Sequence, residues 1–155
     1  IIELNRRFPV FVLLTGPARG YVKKRLSDAR VPFKHYFLKN YKDVSSYYKI
    51  LDLYIITSRA EGGPKAIMES HASGVPLVST KVGMAPDVIV HGENGMLADI
   101  DDVNGLVKYS EMIINDRNLR DRLVVNGLKT VRRYDWPIIA EEYYEKIYKW
   151  LWAGE

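Results

Sequence analysis

Cysteine is absent from the 155 residues. That excludes a disulfide framework, a thiolate metal site and a cysteine nucleophile, and it makes a reducing, cytosolic compartment the default expectation. Long hydrophobic runs are missing as well. The longest, such as Val10 to Leu14, reach about five residues, against the roughly 18 needed to span a bilayer. Ile1-Ile2-Glu3-Leu4-Asn5-Arg6-Arg7 has no basic lead followed by an apolar segment, so no signal peptide is expected there, although the sequence does not begin with methionine. Nucleotide fingerprints are lacking too. Gly16-Pro17-Ala18-Arg19-Gly20-Tyr21 is neither G-x-G-x-x-G nor a P-loop. The three histidines, His35, His71 and His91, stand far apart, with no HExxH motif and no run of paired carboxylates, so no metal is expected.

What remains is an ordinary globular composition, 47% hydrophobic and 27% charged, which excludes wholesale disorder and fits one domain. The net charge of +4 is unevenly spread. Residues 1–49 carry eleven Lys and Arg against three acids, so this third is +8 and the rest of the chain −4. A basic third can serve nucleic acid, an anionic membrane or a phosphorylated small ligand. Without an aromatic-interleaved basic motif or zinc finger, a nucleic-acid partner is not expected, and Lys23-Lys24-Arg25 also fits a plain solvated helix face.

Short apolar runs alternate with helical patterns. Strands are predicted at Val10–Leu14, His35–Leu38, Leu53–Thr57, Leu77–Thr80 and within Gly92–Leu97. Helices are predicted at Tyr21–Ala29, from Asp43 or Ser45 to Lys49, and at Pro64–Ser73. Further ones run from a cap at Asp99–Asp102 through Ile114, from Leu119 to about Tyr134, and from a cap at Asp135 onward. Strands separated by helices imply a Rossmann-like α/β fold, one parallel sheet with helices on both faces. Ligands of such folds bind at the carboxyl ends of the strands.

The loop after Leu53–Thr57 carries the chemistry: Ser58-Arg59-Ala60-Glu61-Gly62-Gly63-Pro64-Lys65-Ala66-Ile67-Met68-Glu69. A strand here feeds a glycine turn that opens a helix. Pro64 suits the first helical position, and Gly62 and Gly63 leave the backbone open to a ligand. The unpaired N–H groups of the first turn, with Lys65 beside them, suit an anion such as a diphosphate. Glu61 precedes the helix, and Glu69 lies about 7.5 Å along its axis, at about 1.5 Å per residue. Carboxylates around a phosphate cradle are acceptors for sugar hydroxyls, which points to a nucleotide-sugar. On helix pattern alone, Lys65 and Glu69 equally fit a surface ion pair four residues apart, in the weaker order, and Glu61 a simple loop carboxylate.

Glu61-Gly62-Gly63-Pro64-Lys65-Ala66-Ile67-Met68-Glu69 resembles the E-x7-E signature of retaining glycosyltransferases of the group 1, or family four, type. Glu69-Ser70-His71-Ala72-Ser73-Gly74-Val75-Pro76-Leu77-Val78 is similar to the run that follows in that family. Lys81-Val82-Gly83-Met84-Ala85-Pro86-Asp87-Val88-Ile89 resembles its G-G-x-P-E-I-I loop, and His91-Gly92-Glu93-Asn94-Gly95-Met96-Leu97 its D-G-x-N-G-F-L segment. Asp135-Trp136 before the last helix also matches. The four motifs stand in register over roughly residues 52–152. Gly63 and Pro64 replace the aromatic residue and glycine of many members, and Asp87 stands where glutamate is usual.

The resemblance implies the C-terminal half of a GT-B fold. Residues 1–155 would be a single donor-binding domain, starting in the helix at Ile1 to Phe8 that follows the family's first strand and its Gly-Arg…Lys diphosphate clamp. It implies transfer of a glycosyl group, of the hexosyl type, from a nucleoside diphosphate-sugar with retention at the anomeric carbon, without metal or other cofactor. Glu61 would take the catalytic position, holding donor-sugar hydroxyls and stabilising charge. Gly62, Gly63, Pro64 and Lys65 would contact sugar and phosphate, Glu69 the ribose hydroxyls, and Gly16, Leu38 and Lys39 would border the nucleoside. The acceptor-binding N-terminal domain would lie outside these residues, leaving the chain inactive by itself. The whole protein would be cytoplasmic, with room for peripheral association at the inner membrane face. An epimerase or glycogen-type synthase on the same plan, or a non-catalytic domain that binds a nucleotide-sugar or an anionic surface, remains open. In the last helix, Ile139, Tyr143, Ile147 and Leu151 are expected to face this domain's own core. Tyr144, Tyr148 and Trp152 form a second stripe, either half-exposed as ordinary surface aromatics or directed at the missing N-terminal domain.

Overall fold

The structure, a computed structural model, describes residues 1–17, 19–37, 40–63 and 65–152. In chain order come helix α1 (Ile2–Asn5), strand β1 (Val12–Thr15), α2 (Gly20–Asp28), β2 (Phe33–Tyr36), and a 3-10 turn (Tyr41–Asp43) leading into α3 (Val44–Tyr48). Then follow β3 (Tyr54–Ile56), α4 (Lys65–Ala72), β4 (Leu77–Thr80), α5 (Ala85–Val88), β5 (Met96–Ala98), α6 (Val103–Asn115) and α7 (Arg117–Arg132). The chain continues through α8 (Trp136–Tyr143), a π-helical stretch (Tyr144–Tyr148) and α9 (Lys149–Trp152). Among the described residues, no helix is long and apolar enough to cross a membrane.

The long helices begin where short acidic side chains can accept from their first unpaired N–H groups. Asp102 accepts from Gly105 N at 2.8 Å, Asp116 from Leu119 N at 3.0 Å and Asp135 from Trp136 N at 2.9 Å. Asp116, not anticipated as a cap, starts α7 two residues before the expected Leu119. The helix α4 ends at Ala72, and just beyond it Gly74, with φ +69°, takes a backbone angle that suits a residue without Cβ. The short α5 lies inside the stretch expected only as a loop.

β4 is buried along its whole length and sets the layers. Alternation sends Leu77 to one face, against Ile67 of α4 and Val88 of α5, and Val78 to the other, against Ile113 of α6 and Leu119 and Leu123 of α7. β5 repeats this, with Leu97 on the first side and Met96 on the second. Helices thus cover both faces, as expected of the Rossmann-like class.

Two expectations need correction. Every ladder is parallel, but the described residues form two sheets rather than one: β1–β2, and β3–β4–β5 with β4 in the middle. In the doubly wound order 3-2-1-4-5-6, β2 and β1 correspond to places 3 and 2, and β3, β4 and β5 to places 4, 5 and 6. In that order place 1 lies between the two sheets, and no described strand occupies it. The predicted strand His35–Leu38 forms as Phe33–Tyr36, and Leu38 lies outside the described residues.

The second correction concerns the C-terminal helix. Ile139 is half-buried, but Tyr143, Ile147 and Leu151 are exposed rather than facing the domain core. No residue of α8, the π-helical stretch or α9 is buried. Among the described residues, the substantial packing of these segments is with one another rather than with the rest of the domain. Tyr144, Tyr148 and Trp152 are exposed too, Trp152 at 82%.

The seam between α4 and α7 holds a buried histidine. His71 is 2% exposed, and its Nε2 has no hydrogen-bond partner among the described residues. Gly127 makes the fit possible, because a Cβ there would overlap the His71 ring. Burial lowers the His71 pKa from its ordinary 6.5 to about 4, because the charged imidazolium loses its hydration. The unfolded chain therefore binds the proton more tightly. This stability is fully present above about pH 6.5 and is lost as pH falls towards 4, with on the order of 2–3 kcal/mol at stake. Thermal melts at pH 7.5 and pH 4.5 should show a larger acid-induced drop for the parent than for His71→Met. Equal drops would remove His71 as the cause.

Candidate functional site

The loops at the carboxyl ends of β3 and β4 are held together through backbone contacts. Thr80 ends β4, and its hydroxyl donates to the Ser58 carbonyl at 2.7 Å. Ser58 in turn donates through its own hydroxyl to Glu61 Oε1. Beneath them lies Gly83, with φ +49°, where an added Cβ would overlap the carbonyl oxygens of Glu61 and Gly62. Only a residue without a side chain allows that approach and that backbone angle together. The turn carrying Glu61 is thus seated on the next strand's loop.

The two glycines of the turn differ. A Cβ on Gly63 would meet Met84 Sδ at 3.0 Å, whereas one on Gly62 would meet nothing within 4 Å. Both glycines are exposed, but a side chain on Gly63 would press on Met84, whereas Gly62 has open space around it and leaves backbone accessible. Glu61 is exposed beside it, and Lys65, also exposed, is the first residue of α4. Pro64, placed by sequence at the start of this helix, lies outside the described residues.

Glu69 sits one turn further along α4 and is half-buried. Its Oε2 accepts from the Tyr48 hydroxyl at 3.1 Å. Both residues, with Lys42, Ser45 and Ser73, line a groove of about 270 Å³ between α3 and α4, near the lower end of the range that holds a small ligand. A larger open depression of about 360 Å³, involving Lys108, Glu111 and Leu119, lies on the C-terminal half of α6 and the start of α7. Because α6 runs back from the carboxyl end of β5, that depression belongs to the other end of the strands and is not where an α/β fold binds its ligand.

Gly16 closes β1 with φ +83°. His35 Nε2 donates to its carbonyl at 2.7 Å, and Arg19 Nε donates to the Thr15 carbonyl at 3.0 Å. The loop after β1 is therefore tied to β2. Leu38 and Lys39, expected near a nucleoside, lie outside the described residues.

The acidic run after β5 divides into separate tasks. Asp102 caps α6, Asp99 pairs with Lys81 at 2.7 Å, and Asp101, with φ +64°, pairs with Arg59 at 2.6 Å. These exposed pairs link the three loops after β3, β4 and β5, and screening by solvent keeps each of them weak. Among the described residues, no group of three or more His, Asp or Glu could hold a metal ion.

Sequence reasoning placed Glu61, Gly62, Gly63, Lys65 and Glu69 on one turn and helix, and the structure does so. It missed the supports: Ser58, Thr80 and Gly83 under Glu61, and Tyr48 behind Glu69. Gly83 was visible within the third motif, where a glycine after a strand signals a positive φ or a close approach. Nothing in the sequence pairs Tyr48 with Glu69.

Comparison with known proteins accords with this geometry. Residues 4–130 match the family described as glycosyl transferases group 1. The lipopolysaccharide core biosynthesis glycosyltransferase LpsE of Rhizobium meliloti is 31% identical over 134 residues, covering 84% of this chain and 39% of LpsE. The capsular polysaccharide biosynthesis glycosyltransferase CapM of Staphylococcus aureus is 31% identical over 106 residues, 68% of this chain and 28% of CapM. Among solved structures, the C-terminal domain of the group 1 protein LpcC from Francisella tularensis superposes with a TM-score of 0.74 at 25% identity, covering 84% of this chain and 73% of that one. Anabaena HepE, solved in complex with UDP-glucose, gives 0.82 at 22% identity over 96% of this chain and 44% of HepE. The fold is that of the C-terminal half of a GT-B protein. The chain spans about two fifths or less of these curated relatives' length.

The Gly83 seat can be tested against two internal references. Gly83→Ala should cost at least about 2 kcal/mol, combining overlap with an unfavourable φ. Gly92→Ala, with φ +80° but open space around it, should cost about 1 kcal/mol. Gly62→Ala should change thermal stability little. Equal melting temperatures for all three would mean that the loops do not bear on one another.

Proposed function

The chain belongs to the group 1 glycosyl transferases, and from that premise we propose that it is the donor-binding half of an enzyme transferring a hexosyl group from a nucleoside diphosphate-sugar with retention at the anomeric carbon. The observation that carries this reading is the turn and helix holding Glu61, the open Gly62 backbone, Lys65 and Glu69 in one stretch at the carboxyl end of β3. The UDP-glucose complex of the similarly folded HepE supports it.

In this reading the bond between the anomeric carbon and the diphosphate oxygen breaks as a bond to an acceptor hydroxyl oxygen forms, and the hydroxyl proton leaves with the diphosphate. The diphosphate leaves as negative charge collects near the backbone N–H groups that open α4 and near Lys65. The Gly62 and Gly63 backbone, with Pro64, contacts sugar and phosphate. Glu61 binds donor-sugar hydroxyls, and its fixed carboxylate stabilises positive charge growing on the sugar ring; it positions the donor rather than attacking it. Glu69 holds ribose hydroxyls, and Gly16, with Leu38 and Lys39, borders the nucleoside. No metal takes part. The acceptor is bound by an N-terminal domain outside these residues, and the exposed aromatic face of α8 and α9 returns to that domain. The protein acts in the cytoplasm or at the inner face of its membrane.

Calorimetry of the 155-residue chain with UDP, GDP and ADP and their sugars tests the site. Weak binding of one series is expected, unchanged by chelator and without transfer to any acceptor. Glu69→Ala should weaken the nucleotide about ten- to a hundredfold, the loss of a charge-assisted hydrogen bond. Glu61→Ala should chiefly reduce the preference for the sugar-bearing donor over the bare diphosphate. If both variants bind every ligand like the parent, the reading is wrong; turnover by the chain alone would remove the need for a second domain, and loss of binding on chelation would remove metal independence.

A further inference from the structure

The turn between β3 and α4 carries two consecutive glycines, Gly62 and Gly63, and both are exposed. Without a Cβ, neither restricts its own φ and ψ, so the turn must be held from outside. Gly83 supports the carbonyls of Glu61 and Gly62. The next residue, Met84, supports Gly63: its sulfur lies 3.0 Å, and its Cγ 3.7 Å, from the point a Cβ on Gly63 would occupy. The φ of Gly63 is outside the left-handed region, so the backbone there accepts an L side chain. What stands in the way is Met84. Its thioether occupies the place where the side chain of residue 63 would begin. Met84 is itself anchored. Its carbonyl accepts from Asp87 N at 3.0 Å and Val88 N at 3.2 Å, and its half-buried side chain packs on the core cluster that includes Ile56, Ile67 and Leu77.

The sequence carries a matching exchange. Many group 1 members have an aromatic residue where Gly63 stands, and the second glycine of their G-G-x-P-E-I-I loop falls where Met84 stands. Here the large side chain and the glycine have changed sides. The close approach explains why the two departures occur together, because packed protein tolerates neither an overlap at this point nor a void. We propose that Met84 is a positioning residue for the donor site: from the loop after β4 it fills the space that residue 63 fills in many members, and it holds the Gly62–Gly63 backbone in the geometry that meets sugar and diphosphate. This rests on the assignment of that backbone to the donor. An unbranched thioether suits the task, since it adapts to an irregular gap. Correct placement matters because displacement of a binding group by as little as about 1 Å weakens its contribution.

The test uses Met84→Gly, Met84→Leu, Gly63→Phe and the double variant Gly63→Phe/Met84→Gly in the 155-residue chain. Each is melted and titrated with whichever of UDP-, GDP- and ADP-glucose binds the parent, and with the matching nucleoside monophosphate. The monophosphate lacks the glucose and the second phosphate, so the ratio of the two affinities reads the turn. Gly63→Phe alone should lower the melting temperature by roughly 3–10 °C, the result of forcing a ring against the thioether. Met84→Gly should reduce the preference for the diphosphate-sugar about five- to tenfold, and Met84→Leu, of similar volume, should retain it. In the double variant the ring takes the place of the thioether, so melting temperature and preference should both return most of the way to the parent. A methionine that merely packs would lower the melting temperature of Met84→Gly without moving the ratio. A parent-like ratio in Met84→Gly, a collapsed one in Met84→Leu, or a double variant that stays at the level of the single variants in either readout overturns this inference alone. If the parent binds none of the nucleotide-sugars, or binds them no better than the monophosphate, the donor assignment falls and this inference falls with it.

Discussion

The close approach of Gly83 to the carbonyl oxygens of Glu61 and Gly62 is the contact on which the candidate site depends. Glu61 is exposed and lies on a loop, so nothing in its own helix or strand holds it. Its position comes from below, through the Gly83 backbone, the Thr80 hydroxyl on the Ser58 carbonyl and the Ser58 hydroxyl on its carboxylate. These groups belong to β4 or its following loop, or are fastened to them, and β4 is buried on both faces. Rigidity therefore passes from a fully buried strand to an exposed carboxylate in two hydrogen bonds and one backbone contact. A flexible loop could carry the same residues, but it could not present them in one geometry.

Much of this was legible in the sequence because period and chemistry coincide. Leu77-Val78-Ser79-Thr80 reads as a buried strand, and the nine residues from Glu61 to Glu69 read as a turn opening a helix with a carboxylate on each side of an anion site. The caps Asp102 and Asp135 were legible for the same reason, since a short acidic side chain ahead of an apolar period has few other uses. Local physics suffices for such elements.

What was not legible depends on partners distant in sequence. The Tyr48–Glu69 bond spans 21 residues, and no pattern within a helix announces it. His71 reads as one polar residue in an amphipathic helix, yet it is buried against Gly127 because two helices meet there. The C-terminal helix shows the opposite error. Ile139, Tyr143, Ile147 and Leu151 repeat at helical spacing and suggest a core face, but periodicity specifies only a face, not what covers it. Likewise, five strands of one parallel class suggest one sheet, but alternation does not show which strands pair, and the described residues form two.

The central claim is that a nucleotide-sugar binds at the carboxyl ends of β1, β3 and β4, across the turn of Glu61 and the groove of Glu69. Amide chemical-shift mapping of the chain during titration with nucleoside diphosphate-sugars tests it most directly. Perturbed amides should cluster at Gly16, at residues 58–69, at Tyr48 and at Gly83 and Met84. Perturbations centred instead on Lys108, Glu111 and Leu119, at the opposite end of the strands, would contradict it.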